Sequence, residues 1–351
     1  MFRTSSSREH RHNFGRRMAV PGRRGVAFVA VAAALAGSLA ACGSTSDNAS
    51  GGTQPVIKVV AFKSPSLGAF LPAVIKDRKL DAKNGLDLQF TYATPDNYNS
   101  EFGAGHYDVG GSAAVLSEAL RTQRGADVTY LFNLFDFYGT VVTSDSAIKG
   151  LGDLKGHTLA AATGTTNYAM FAWFAKQASL DLKGVQTQNQ TTAGLSTMAQ
   201  TGRTDATQLW EPAYSTLVAK KPGIRTIDLD YGAWNSEFGT SEIPYLGVAA
   251  QSSWAKKNPD KVQALYQTYK DAAAWVTANP KEAAAVIAKT IPGGDVKVVQ
   301  ELIEANDKRL RMHVTPASAV SDGMKAVFKA GQQTGYLTKQ PPDSVIYAGL
   351  K

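Results

Sequence analysis

One cysteine, Cys42, stands in 351 residues, so the chain has no second thiol for an intrachain disulfide. Histidine is scarce too. Of five, His10 and His12 lie near the start, and His106, His157 and His313 occupy separate segments without metal-ligand spacing, so no metal is expected. G-x-S-x-G, H-E-x-x-H and the P-loop are all absent. The glycine-rich run Gly150-Leu151-Gly152-Asp153-Leu154-Lys155-Gly156 is spaced G-x-G-x-x-x-G and precedes a strand instead of following one, which rejects a dinucleotide fingerprint. No cofactor is expected, and an enzyme is not the reading these absences favour.

A basic excess disappears once residues 1–41 are set apart. They hold seven of the 37 Lys and Arg and one of the 29 acidic residues, which leaves 30 against 28 in the remainder. Most of the formal charge of +8 therefore belongs to the leader and gives no reason to expect a nucleic-acid partner. About 300 residues remain, enough for two domains of roughly 150 each.

The leader reads as a secretory signal peptide: arginines at 3, 8, 11, 16, 17, 23 and 24, an apolar run from Val26 to Ala36, then Gly37-Ser38-Leu39-Ala40-Ala41. Leu39-Ala40-Ala41-Cys42 resembles the lipobox of a bacterial lipoprotein, with Cys42 as the lipid-attachment site. An uncleaved anchor is the alternative, yet Gly25–Ala41 is 17 residues, at the short limit for spanning a bilayer. Arg16-Arg17 and Arg23-Arg24 leave twin-arginine export open, and Met18 can itself serve as the start. Residues 42–55 form a lipidated N-terminus and flexible tether. The protein is thus expected at the outer face of the cytoplasmic membrane.

Beyond the tether the pattern is α/β. Val56 to Phe62 is a strand, Leu67, Phe70, Leu71, Val74 and Ile75 fit one helical face, and Leu86 to Tyr92 returns as a strand. Gly105-His106-Tyr107-Asp108-Val109 and Gly202-Arg203-Thr204-Asp205-Ala206 repeat Gly-x-x-Asp-small at a separation of 97 residues, which suggests two similarly wound domains. Ser112 is expected to cap a helix, and Leu134–Thr143 and Tyr245–Ala250 to be crossing strands. Tyr231–Ile243 reads as an aromatic-rich loop with Trp234 and Phe238, and the chain from Ser252 onward as mainly helical, with helices that include Val296–Leu310 and Pro316–Thr334. Thr163-Gly164-Thr165-Thr166 opens a helix whose free N–H groups suit an anion, or serves as a simple N-cap. At Ala206–Leu209 a strand stops at Trp210-Glu211-Pro212, and the carboxyl ends of such strands are where open α/β sheets bind ligands.

These motifs in this order, with Gly-x-x-Asp-Val-Gly-Gly-Ser, the run Ile148 to Gly156 and Trp210-Glu211-Pro212, resemble the solute-binding proteins of ABC importers in the nitrate, sulfonate, taurine and thiamine-pyrimidine group. The resemblance covers residues 56 to 350. It implies a type II periplasmic binding protein fold: two α/β lobes joined by two crossing strands, with the ligand cleft between them. Lobe 1 would be 56–142 and 244–351, lobe 2 would be 143–243, and the hinge would lie near Val141 and Gly247. The implied partners are a small solute, a membrane permease and its ATPase, with the binding protein itself a monomer.

The resemblance carries ligand contacts onto Ser64, Ser66, Gly111, Ser112, Tyr138, Thr165, Thr166, Trp210 and Glu211, and the aromatic loop adds Trp234 at the cleft mouth. Two helix starts favour an anionic group and Glu211 an ammonium, which together suit a small zwitterion or sulfonate-like solute. Trp210 and Tyr138 are either apolar walls or partly core, and Glu211 either meets ligand or caps a backbone N–H. No arginine stands at a motif position, which counts against nitrate- or sulfate-like ligands. An aromatic heterocycle such as a thiamine pyrimidine precursor is the competing ligand, and a sensor lipoprotein without transport the competing role. Fungal pyrimidine synthases share the fold and carry a cysteine-rich motif that this chain has no cysteine to match.

Overall fold

The computed structural model describes residues 54–350. The expected signal peptide, Cys42 and most of the expected tether lie outside the described residues. In chain order the strands are β1 (Val56–Phe62), β2 (Asp87–Ala93), β3 (Val109–Ala114), β4 (Val128–Asp136), β5 (Thr140–Thr143), β6 (Thr158–Ala161), β7 (Gln186–Asn189), β8 (Ala206–Leu209), β9 (Arg225–Ile227), β10 (Pro244–Gln251) and β11 (Met312–Pro316). The first helices are α1 (Phe70–Arg78), α2 (Leu80–Lys83), α3 (Pro95–Gly103) and α4 (Val115–Gln123). Between the sixth and tenth strands come α5 (Thr166–Gln177), α6 (Thr192–Thr201), α7 (Ala213–Lys220) and α8 (Tyr231–Phe238). The C-terminal part adds α9 (Ser252–Lys257), α10 (Pro259–Ala278), α11 (Pro280–Ala288), α12 (Val296–Glu304) and α13 (Ser321–Gln333).

The strands make two sheets, ordered β11-β4-β10-β3-β1-β2 and β7-β6-β8-β5-β9. Each has a parallel trio, β2-β1-β3 in one and β7-β6-β8 in the other. An antiparallel strand flanks each trio, β10 beside β3 and β5 beside β8. The repeated Gly-x-x-Asp motifs therefore open equivalent strands, β3 and β8. Gly105 and Gly202 each follow a helix at positive φ, +75° and +63°, the left-handed turn that ends α3 and α6.

The chain passes between sheets at Phe137–Gly139 and returns between Gly239 and Ile243. Val141 and Gly247, expected at the hinge, are paired inside sheets: Val141 with Gln208 and Ile227, Gly247 with Ala113 and Asn133. A Cβ at Gly247 would meet the Phe132 carbonyl and the Tyr130 hydroxyl. Gly247→Ala is therefore expected to cost about 1–3 kcal/mol, read as an earlier urea midpoint.

Other expectations change for local reasons. Tyr231–Ile243 is not a loop throughout: Asp230 accepts from the N–H groups of Gly232 and Ala233, starting α8, and Gly239 ends it at φ +68°. Ser112 caps no helix, because Val109 to Ala114 is a fully buried strand and α4 starts after it. Between the expected helices Val296–Leu310 and Pro316–Thr334 lies β11, an edge strand on β4, where its Pro316 is tolerated. The expected helix Val296–Leu310 gives way after Glu304 to a π-turn at Asn306–Leu310.

The second sheet is covered on both faces. Val142, Ala160, Ala162 and Leu209 pack with Leu195, Met198 and Leu217 of α6 and α7. Opposite, an aromatic group built on α5 and α8 joins the larger core, in which Trp173 and Trp234 are 0% exposed. No helix among the described residues is long and apolar enough to cross a membrane.

Candidate functional site

Because β1, β3, β6 and β8 share a parallel sense within their sheets, the segments after them converge on the carboxyl ends of the two trios. Those segments are Lys63–Ser66, the start of α4, Ala162–Thr165 and Trp210–Pro212. Ser66 caps the turn Leu67–Ala69 through Gly68 N–H at 3.2 Å, and Ser64 Oγ lies 2.9 Å from Thr290 Oγ1.

The first turns of α4 and α5 meet. Ser117 Oγ of one sheet's layer lies 3.2 Å from Thr166 Oγ1 of the other's. Thr165 caps α5 through Tyr168 N–H at 3.2 Å and donates its own proton to the Ala162 carbonyl at 2.7 Å. Next in sequence, Asn167 Nδ2 reaches the Tyr245 hydroxyl on β10 at 2.7 Å. Gln208 Nε2, from β8, donates to the Asn167 carbonyl at 2.8 Å.

A second group forms where β5 begins and β8 ends. Thr140 pairs with Leu209, which brings Tyr138 beside Trp210 and Glu211. The Tyr138 and Tyr214 rings are 6.4 Å apart. Burial, helped by Tyr214 and Glu211, raises the Tyr138 hydroxyl pKa. The Glu211 carboxylate accepts from Ser215 Oγ at 2.9 Å and Ser215 N–H at 3.2 Å. Arg309 approaches from the π-turn, its Nε 4.0 Å from Glu211 and its Nη1 donating to Ser215 Oγ at 3.2 Å. Burial lifts the Glu211 pKa, opposed by the Ser215 hydrogen bonds and Arg309.

The structure thus collects Ser64, Ser66, Tyr138, Thr165, Thr166, Trp210 and Glu211 at strand ends, but gives three other candidates different surroundings. Gly111 lies inside β3, where a Cβ would press on Val59 and approach the Tyr269 hydroxyl. Ser112 is 0% exposed, and its hydroxyl accepts from Phe62 N–H at 2.8 Å, tying β1 to β3. Trp234, expected at the cleft mouth, is fully buried against Trp173, 5.1 Å between centroids, and Phe238, 4.4 Å, because α8 folds its aromatic face onto α5. Glu211 has Ser215 and Arg309 as partners, and its side chain is 0% exposed.

Ser117, Asn167, Gln208, Tyr245 and Arg309 were not picked from sequence. A glutamine in a strand of buried residues was the available sign for Gln208. Nothing local marks Arg309, which reaches Glu211 from 98 positions away.

Three residues far apart in sequence also meet at the opposite end of the second sheet. Donor atoms of Asp145, His157 and Asp205 lie within 4.8 Å of one another, beside a cavity of about 180 Å³. Asp205 Oδ2 there already accepts from Thr158 N–H at 2.7 Å and Thr158 Oγ1 at 2.8 Å, contacts that hold its pKa low.

Two α/β lobes, each a sheet with covering helices and joined by two crossings, make the periplasmic binding protein fold. Residues 82–283 match the family described as NMT1/THI5 like, and the chain belongs to that family. Similar solved structures include the periplasmic aliphatic sulphonate binding protein SsuA from Escherichia coli, at TM-score 0.66 and 19% identity, covering 82% of this chain and 96% of that one. Another is the alkanesulfonate-binding protein SsuA from Xanthomonas axonopodis pv. citri bound to MOPS, at TM-score 0.67 and 16% identity, covering 86% and 99%. In sequence, an aliphatic sulfonates-binding protein of Escherichia coli (strain K12) is 29% identical over 151 residues, 43% of this chain and 44% of that protein's length. A binding protein of Brucella abortus (strain 2308) is 23% identical over 295 residues, 83% of this chain and 86% of that one.

Proposed function

We propose that the chain is the extracytoplasmic solute-binding lipoprotein of an ABC importer, anchored through Cys42, and that it captures a small anionic or zwitterionic organic solute of sulfonate or taurine type by lobe closure. The meeting of the α4 and α5 first turns carries this reading. Two helix starts and the hydroxyls of Ser117 and Thr166 place donors and positive dipole ends at one point between the lobes. The similarity to sulfonate-binding proteins supports the same ligand class. Tyr138, Tyr214 and Trp210 supply the apolar wall, and the closed protein hands its solute to a permease without turning it over.

A thermal-shift screen of alkanesulfonates, taurine, nitrate, amino acids and pyrimidines tests this. A solute at about 100 times its Kd stabilises the folded protein by about 2.7 kcal/mol, so sulfonates are expected to raise the melting temperature in proportion to log concentration. A rise with a neutral aromatic heterocycle alone would replace the sulfonate by the pyrimidine reading. Export and lipidation are checked separately, by following membrane association of wild type and Cys42→Ser.

A further inference from the structure

Two side-chain oxygens where the lobes meet are buried and have no donor: Gln208 Oε1 and Asn167 Oδ1. Gln208 is 1% exposed and Asn167 3%. The orientation of Gln208 is decided by its neighbour. Its amide meets the Asn167 main-chain carbonyl at 2.8 Å, and a carbonyl only accepts, so Nε2 faces that carbonyl and Oε1 faces away. Asn167 turns Nδ2 to the Tyr245 hydroxyl of the other lobe, so its amide sits on the interlobe face itself. A buried oxygen left without a donor destabilises a fold unless something supplies the hydrogen bond.

We propose that Gln208 Oε1 and Asn167 Oδ1 accept hydrogen bonds from an N–H group of the solute, and so select amino-bearing sulfonates over plain ones. This rests on the sulfonate reading and narrows it. The two ends of such a solute are served by adjacent residues. Thr166 and Ser117 offer donors to the sulfonate, and Asn167 follows Thr166 at one Cα step, about 3.8 Å, a spacing that suits a short carbon linker. Amide oxygens repel a sulfonate and attract an ammonium or amino group. The role given by sequence to Glu211 thereby moves to Gln208, since the Glu211 oxygens are occupied by Ser215 and neighbour Arg309.

The test compares amines with their des-amino partners by calorimetry on the mature protein: taurine against ethanesulfonate, and 4-amino-2-methylpyrimidine against 2-methylpyrimidine. Taurine is expected to bind at least about tenfold more tightly than ethanesulfonate, the effect of one charge-assisted hydrogen bond of about 1.5 kcal/mol or more. Gln208→Met, which keeps length and removes the acceptor, is expected to bring the ratio of taurine to ethanesulfonate affinity close to one. Should that variant fold poorly, Asn167→Asp provides the second arm, with the preference for taurine expected to rise. Equal binding of taurine and ethanesulfonate overturns the inference and leaves the sulfonate reading standing. Amine-dependent binding confined to the pyrimidine pair overturns the sulfonate reading and leaves the acceptor role standing. A taurine preference unchanged in folded Gln208→Met, or no binding of either amine, overturns the inference.

Discussion

Trp234→Ala is expected to destabilise the protein by about 3–5 kcal/mol while leaving solute affinity within about twofold. The indole is 0% exposed and touches three aromatic rings, with centroids 4.4 Å from Phe238, 5.1 Å from Trp173 and 6.3 Å from Phe174. Its Nε1 donates to the Glu242 carbonyl at 3.2 Å. Glu242 lies in the return connection between the lobes, so the indole also holds that connection against α8. Alanine would leave a cavity too well walled to collapse and a carbonyl short of one donor. Urea unfolding followed by far-ultraviolet circular dichroism measures the first effect, and calorimetric titration the second. A variant with an unchanged midpoint but lost binding would return Trp234 to the ligand site.

That tryptophan shows where reading the sequence succeeds and where it stops. The order of elements was legible because strand and helix periodicities are local and strong here, as at Val56–Phe62 and Phe70–Ile75. The Gly-x-x-Asp repeat was legible as a repeat, and in the fold it heads β3 and β8, equivalent positions in two sheets. Trp234 was misjudged because a run of aromatics beside glycine reads as a loop, whereas Asp230 caps a helix and packing on α5 takes the rings inward. β11 was hidden inside a helical context, since an edge strand draws its hydrogen bonds from β4, far away in sequence.

Among site candidates the division has the same cause. Thr165 and Thr166 follow from the local grammar of a helix start, and there the fold brings a second helix start to meet them. Ser112 follows that grammar equally well, yet the chain continues as a strand because β1 and β10 flank it on both sides. Gln208, Tyr245 and Arg309 act through partners supplied by other segments, and those pairings exist only after the lobes are assembled.

Glu211→Ala is expected to cost about 3 kcal/mol at neutral pH, and Glu211→Gln less than about 1 kcal/mol. Alanine removes the acceptor of two Ser215 hydrogen bonds and leaves Arg309 facing an empty buried space. Glutamine keeps an acceptor for Ser215 and removes a charge that burial already disfavours. The pH dependence separates the two. Burial raises the Glu211 pKa above its ordinary 4.5, with Ser215 and Arg309 opposing. Between the unfolded and folded values the folded state then binds more protons, so stability falls as pH rises through that window. Wild type should therefore lose stability there relative to Glu211→Gln, which has nothing to titrate. Arg309→Ala removes one of the opposing influences, so the same loss should extend to higher pH. Melting temperatures of the three proteins from pH 4 to 8 would show it. Superimposable profiles for wild type and Glu211→Gln would mean that the carboxyl does not titrate in this window, and that the contact with Arg309 outweighs burial.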